Sequence, residues 1–136
     1  MPDFTFSSPD DLPPPAGYNH VVSLPTGRLV WTSGQVPLDA AGDAPDGWEA
    51  QTRLAFSNVG RALEAGGAGW GDVVKLTIYV LDTRELATVR AVRDEFVNTA
   101  APPTSSLVQV AGLFRPDLLI EVEAVAALDP SARTER

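Results

Sequence analysis

Pro102-Pro103-Thr104-Ser105-Ser106-Leu107-Val108-Gln109-Val110-Ala111, followed after a short turn by Leu118-Leu119-Ile120-Glu121-Val122-Glu123-Ala124-Val125-Ala126, sets the architecture of this chain. Two prolines restrict the backbone ahead of a β-branched and polar run, which predicts a strand entered from a rigid loop, with the hydroxyls of Ser105 and Ser106 at its mouth. The second run alternates with period two. Leu118, Ile120, Val122, Ala124 and Ala126 fall on one face, and Leu119, Glu121, Glu123 and Val125 on the other. Two carboxylates thus share an otherwise apolar face. Isolated buried carboxylates are costly, so that face must reach water, a cation or a subunit boundary.

Upstream, Val73 to Leu81 is the longest strand candidate, with Val74, Leu76, Ile78 and Val80 on one side and Lys75, Thr77 and Tyr79 on the other. Two helices flank it. The first begins at Trp48, carries Gln51, Leu54, Ala55, Asn58, Ala62 and Leu63 at helical spacing and stops at Gly66-Gly67; Asn58 on that stripe reads as a satisfied structural amide. The second is capped by Asp82 or Thr83 and runs to about Asn98, with Leu86, Val89, Arg93, Phe96 and Val97 along one side and Arg90 at the margin. Nearer the N-terminus, His20–Leu24 and Arg28–Ser33 flank Pro25-Thr26-Gly27, which predicts an antiparallel hairpin. Its second strand runs into Ser33-Gly34-Gln35-Val36-Pro37, where a glycine permits close backbone approach between two hydrogen-bonding side chains. Phe4 and Phe6 alternate with polar residues ahead of the prolines at 13–15, as in an edge strand and a stiff connector.

The order strands, helix, strand, helix, strands predicts an α+β fold with two helices on one face of a mixed, mainly antiparallel sheet. The other face would bear Lys75, Thr77, Tyr79, Leu107, Gln109, Leu119, Glu121 and Val125, too apolar for water and too polar for a dry core. A subunit interface satisfies both constraints, and pockets there would draw residues from more than one chain.

At 136 residues the chain fits a single domain, 1–136, with a core at about 16–127, an edge strand and Pro-rich connector over 1–15 and a polar tail over 129–136. A net charge of −8 with scattered basic residues argues against nucleic acid. With no cysteine and a lone His20, no thiol nucleophile or multi-histidine metal site is available. The N-terminus lacks the features of a secretory signal and no apolar run is long enough to span a membrane, so a soluble, cytoplasmic protein without membrane partners is expected.

From about Ala16 to Ala127 the chain resembles the RidA (YjgF/YER057c/UK114) superfamily. The resemblance is carried by Gly17-Tyr18-Asn19-His20, Thr32-Ser33-Gly34-Gln35-Val36-Pro37, Gln51 with Asn58, Asp72-Val73-Val74-Lys75, and Ile120-Glu121-Val122-Glu123-Ala124-Val125-Ala126. It implies a chorismate-mutase-like α+β fold, a homotrimer with inward-facing sheets and three inter-subunit clefts. Archetypal members hydrolyse reactive enamines and imines to a keto acid and ammonia, and no metal or organic cofactor is implied. The resemblance has one departure. Archetypes carry Pro-Xaa-Arg-Ser at the start of the penultimate strand, the arginine gripping the substrate carboxylate, whereas this chain reads Pro103-Thr104-Ser105-Ser106. Serine cannot present a bidentate cationic fork, so a specificity different from that of 2-iminoacid deaminases follows.

Glu121 matches the family glutamate thought to position the hydrolytic water; the competing reading pairs it with Lys75 or an arginine at an interface. Glu123 reads as structural. Tyr18 matches the tyrosine bordering the cleft, or is an ordinary packed ring. Ser105 and Ser106 either donate to a small polar ligand or satisfy the strand entrance, while Ser33, Gly34 and Gln35 either shape the cleft or end a strand. His20 reads as a strand or interface histidine. Arg90 stands where archetypes often have asparagine and Arg93 where they often have an aromatic. Either can replace the missing charge, but helix arginines ordinarily lay their stems over apolar surface with their heads in water. Two functional classes follow: a metal-independent imine or enamine hydrolase, or a catalytically silent trimer that binds a small ligand or a protein partner.

Overall fold

The computed structural model describes residues 4–12, 14–24 and 27–129. The turn residues Pro25 and Thr26, Pro13 of the connector and most of the polar C-terminal stretch lie outside the described residues. The elements follow the order β1 (Thr5–Ser7), β2 (Val21–Ser23), β3 (Arg28–Trp31), α1 (Trp48–Ala65), β4 (Val73–Val80), α2 (Leu86–Arg93), β5 (Thr104–Gln109) and β6 (Ile120–Leu128). Both helices pack on one face of a four-stranded sheet ordered β3-β6-β4-β5, as the sequence predicts. No helix among the described residues is long and apolar enough to cross a membrane.

The predicted hairpin is not formed. β2 pairs antiparallel with β1 in a separate two-stranded ribbon, and β3 pairs antiparallel with β6. Local turn chemistry therefore yields to a long-range partner, the nine-residue β6, which binds β3 on one edge and β4 on the other. β5 runs parallel to β4, the geometry that a helical crossover through α2 allows.

The alternation of β6 holds: Leu118, Ile120, Val122, Ala124 and Ala126 are buried beneath the helices. In β4 a register shift between Val73 and Lys75 places Val73 in the core instead of Val74. In β5 the alternation is opposite to the one predicted. Ser105, Leu107 and Gln109 pair with Leu76, Ile78 and Val80 and share their helix-covered side, while Thr104, Ser106 and Val108 face away from the helices. The start of β5 is set by its pairing with β4, which the short alternating run of polar and apolar residues does not encode.

The core face of α1 is Gln51, Thr52, Ala55, Phe56, Val59 and Leu63, so the stripe is rotated from the predicted one toward Phe56 and Val59. Phe56 packs against Trp70 and Phe96, with ring centroids 5.6 Å away in both cases. Such aromatic burial dominates a small core. Leu54 and Asn58 instead meet the loop after β3, where Asn58 donates to the Val36 and Leu38 carbonyls at 2.9 Å. α2 ends at Arg93 and continues as tight turns to Val97, short of the predicted Asn98, and Val92 joins Val89 in its buried face.

Candidate functional site

The described structure sorts the candidate residues into two groups on opposite sides of the sheet. The first lies where the N-terminal segment crosses the entrance of β5. Asn19 fastens that segment: its amide N–H donates to the Pro103 carbonyl at 3.2 Å, and its side chain donates to the Pro102 carbonyl at 2.8 Å. Tyr18 is thereby held beside Ser105, with its ring edge-on to His20 at 5.3 Å. A cavity of about 200 Å³ opens there, lined by Ala16, Tyr18, Leu86, Arg90, Arg93 and Ser105 over a floor of Ile78, Val89 and Leu107. Three of the candidates, Tyr18, Ser105 and Arg90, are therefore neighbours in one pocket.

Arg93 corrects the reading that both helix arginines keep their heads in water. Arg90 is exposed, but the Arg93 side chain is only 8% exposed. Its Nε donates to Asp94 Oδ1 at 2.9 Å, and its guanidinium lies against Gly17, where a methyl group would overlap Nη2. Gly17 also has φ +81°, a backbone conformation that favours glycine. The signal was present in the sequence: Arg93 stands four residues from both Val89 and Val97, in the middle of a stripe that is buried, whereas Arg90 stands at its edge.

The second group is built by β6 and the segment after β3. Gln35 exchanges backbone hydrogen bonds with Val122, donating at 2.7 Å and accepting at 2.9 Å. This bridge lays Ser33-Gly34-Gln35 along β6, and any side chain on Gly34 would overlap the Glu121 carboxylate. Glu121 emerges on the face away from the helices, opposite Tyr79 of β4. Among the described residues its carboxylate has no hydrogen-bond or ion-pair partner. The pairing with Lys75 does not form, because Lys75 Nζ donates instead to Ser106 Oγ at 2.8 Å. Ser106 thus belongs to this uncovered face and not to the pocket. Glu123 accepts from the Tyr79 hydroxyl at 2.8 Å. That bond, partial burial and the charges of Glu123 and Glu121 hold the Tyr79 phenol above its usual pKa.

The same face carries Trp31, 71% exposed, with Lys75, Thr77, Glu123 and Val125 around a shallow apolar hollow. Among the described residues no group of three or more histidine, aspartate or glutamate side chains is gathered as a metal site.

Two helices over a mixed sheet, with a small pocket at its edge that two arginines line, define an α+β fold that several known proteins share. Residues 9–128 match the family described as Endoribonuclease L-PSP. The chain is 38% identical over 110 residues to the 2-iminobutanoate/2-iminopropanoate deaminase of Escherichia coli K12, covering 79% of this chain and 85% of that protein. Among solved structures, YyfB of Yersinia pestis, a Rid-family protein of unknown function, superposes with a TM-score of 0.85 at 34% identity, covering 93% of this chain and 99% of that one. Escherichia coli TdcF with bound serine superposes with a TM-score of 0.66 at 35% identity, covering 90% and 94%. At nearly equal identity, the backbone follows YyfB more closely than TdcF. The chain belongs to the RidA (YjgF) superfamily.

Proposed function

We propose that the protein is a metal-independent hydrolase of a small imine or enamine, working in clefts between the subunits of a homotrimer. Relatives named as imine deaminases support the reaction class. The observation that carries the reading is the unpaired Glu121 carboxylate, held against Gly34 on the face turned away from the Tyr18–Ser105 pocket. One chain keeps the two groups on opposite sides of its sheet; packing the uncovered face against another copy would bring Glu121 to that copy's pocket.

In this mechanism Glu121 takes a proton from water as the water oxygen bonds to the imine carbon. Glu121 passes that proton to the imine nitrogen, giving a carbinolamine; the hydroxyl proton then moves through the same carboxylate to the nitrogen as the carbon–nitrogen bond breaks, leaving a carbonyl and ammonia. Tyr18 and Ser105 orient the substrate, and the backbone at Gly34 lets the carboxylate approach closely. Because Ser105 stands where archetypes have arginine, substrate selectivity differs from theirs. RNA cleavage fits poorly with a net charge of −8.

The test is ammonia release from freshly generated 2-aminoacrylate by wild type, Glu121→Ala and Ser105→Arg. Turnover by wild type that Glu121→Ala abolishes supports the mechanism. Activity gained only by Ser105→Arg means that the chemistry is retained and the substrate class has changed. Inactivity of all three across an imine panel, with saturable ligand binding, would replace the enzyme with a silent binding trimer.

A further inference from the structure

We propose that Arg93 is the carboxylate-binding residue of this protein, gripping a small 2-oxo or 2-imino acid from the α2 wall of the pocket. The inference takes the substrate site of the preceding section as its starting point, but it concerns anion recognition and not hydrolysis.

A buried guanidinium is costly unless its donors are matched. Arg93 spends only Nε on the protein, in the ion pair with Asp94. Its terminal nitrogens, Nη1 and Nη2, have no hydrogen-bond acceptor among the described residues. The Asp94 contact fixes the plane of the guanidinium from behind and leaves the end-on pair of nitrogens, the edge that matches the two oxygens of a carboxylate. Gly17 lets the guanidinium lie against its backbone, so the head group is held at the pocket wall. The pocket lining contains two arginines and no acidic residue, in a chain with only 10 basic residues against 18 acidic ones. An anion is therefore the ligand that this cavity suits.

Ser105, a neutral hydroxyl on β5, lines the same pocket. A carboxylate held at Arg93 leaves its carbonyl or imine end directed toward Ser105 and Tyr18. Arg90, exposed at the rim, attracts the anion without enclosing it.

The probe is 2-oxobutanoate, the stable keto acid, compared with its neutral amide by calorimetric titration of the full-length protein. Wild type should bind the acid about ten- to a hundredfold more tightly than the amide. Arg93→Met should abolish that preference by weakening the acid far more than the amide, and Arg90→Met should retain most of it. Arg93→Lys, which keeps the stem and charge, serves if the methionine variant does not fold; loss of the paired nitrogens should still reduce the preference severalfold. Adding Ser105→Arg to Arg93→Met should restore acid binding from β5. Equal wild-type affinity for acid and amide, or an undiminished preference in Arg93→Met, would overturn the proposal. Failure of wild type to release ammonia from imines, with the acid preference intact, would sink the hydrolase and leave the anion site standing.

Discussion

At the scale of single residues, glycines and one arginine define what the site can accommodate. Gly34 and Glu121 are far apart in sequence, yet backbone bonds between Gln35 and Val122 bring the carboxylate onto the glycine. Gly34→Ala should therefore push the Glu121 side chain out of position without straining the fold. A displacement of about 1 Å can cost roughly a hundredfold in rate, so ammonia release should fall by about that factor while the melting temperature stays near that of wild type. A rate unchanged by Gly34→Ala would mean that this placement of Glu121 does not serve catalysis. The importance of glycine at position 34 was legible as a local possibility in Ser33-Gly34-Gln35. The side chain it makes room for was not, because that contact joins β6 to a segment nearly ninety positions away.

At the scale of elements, α1 holds the entrance of β6 as well as covering the sheet. Gln51, 3% exposed, donates from Nε2 to the Pro45 carbonyl at 3.0 Å and to the Asp117 carbonyl at 2.8 Å, and its Oε1 accepts from Leu119 N–H at 2.8 Å. Three backbone groups would lose their partner in Gln51→Ala. Buried polar groups left unsatisfied cost about 1–3 kcal/mol each, so the variant should lose at least that much stability in a urea titration, with amide exchange accelerating first at Leu119. Helical spacing identified Gln51 as facing inward, but it also selected Leu54 over Phe56. The helix turns toward whichever partner is largest, and Phe56 has Trp70 and Phe96 to meet. That choice depends on side chains outside the helix, so its own periodicity does not contain it.

At the scale of the whole molecule, the sheet face away from the helices carries Trp31, Val108 and Val125 among Lys75, Glu121 and Glu123. In the proposed trimer this face is covered, and solution scattering should give a mass near three times the 14.4 kDa chain. Val125→Arg places a cation between Trp31 and Lys75 on that face, opposite both in the strand register. It should shift the mass toward the single chain and abolish imine turnover together, since Glu121 would lose its pocket. A stable monomer that still turns over substrate would remove the inter-subunit mechanism.

The sequence by itself determined the elements with strong periodicity: β4 and β6 from alternation, α1 from its stripe and glycine stop, and the α+β order that places both helices on one face. Burial of apolar surface forces those patterns locally, so they are written in neighbouring residues. Only the tertiary structure decided that β3 leaves its apparent hairpin partner for β6, that β5 presents Ser105 to the helices, and that Arg93 is enclosed beside the pocket. Each of those outcomes depends on a partner distant in the chain, and strand pairing or helix packing selects that partner by the total surface it buries.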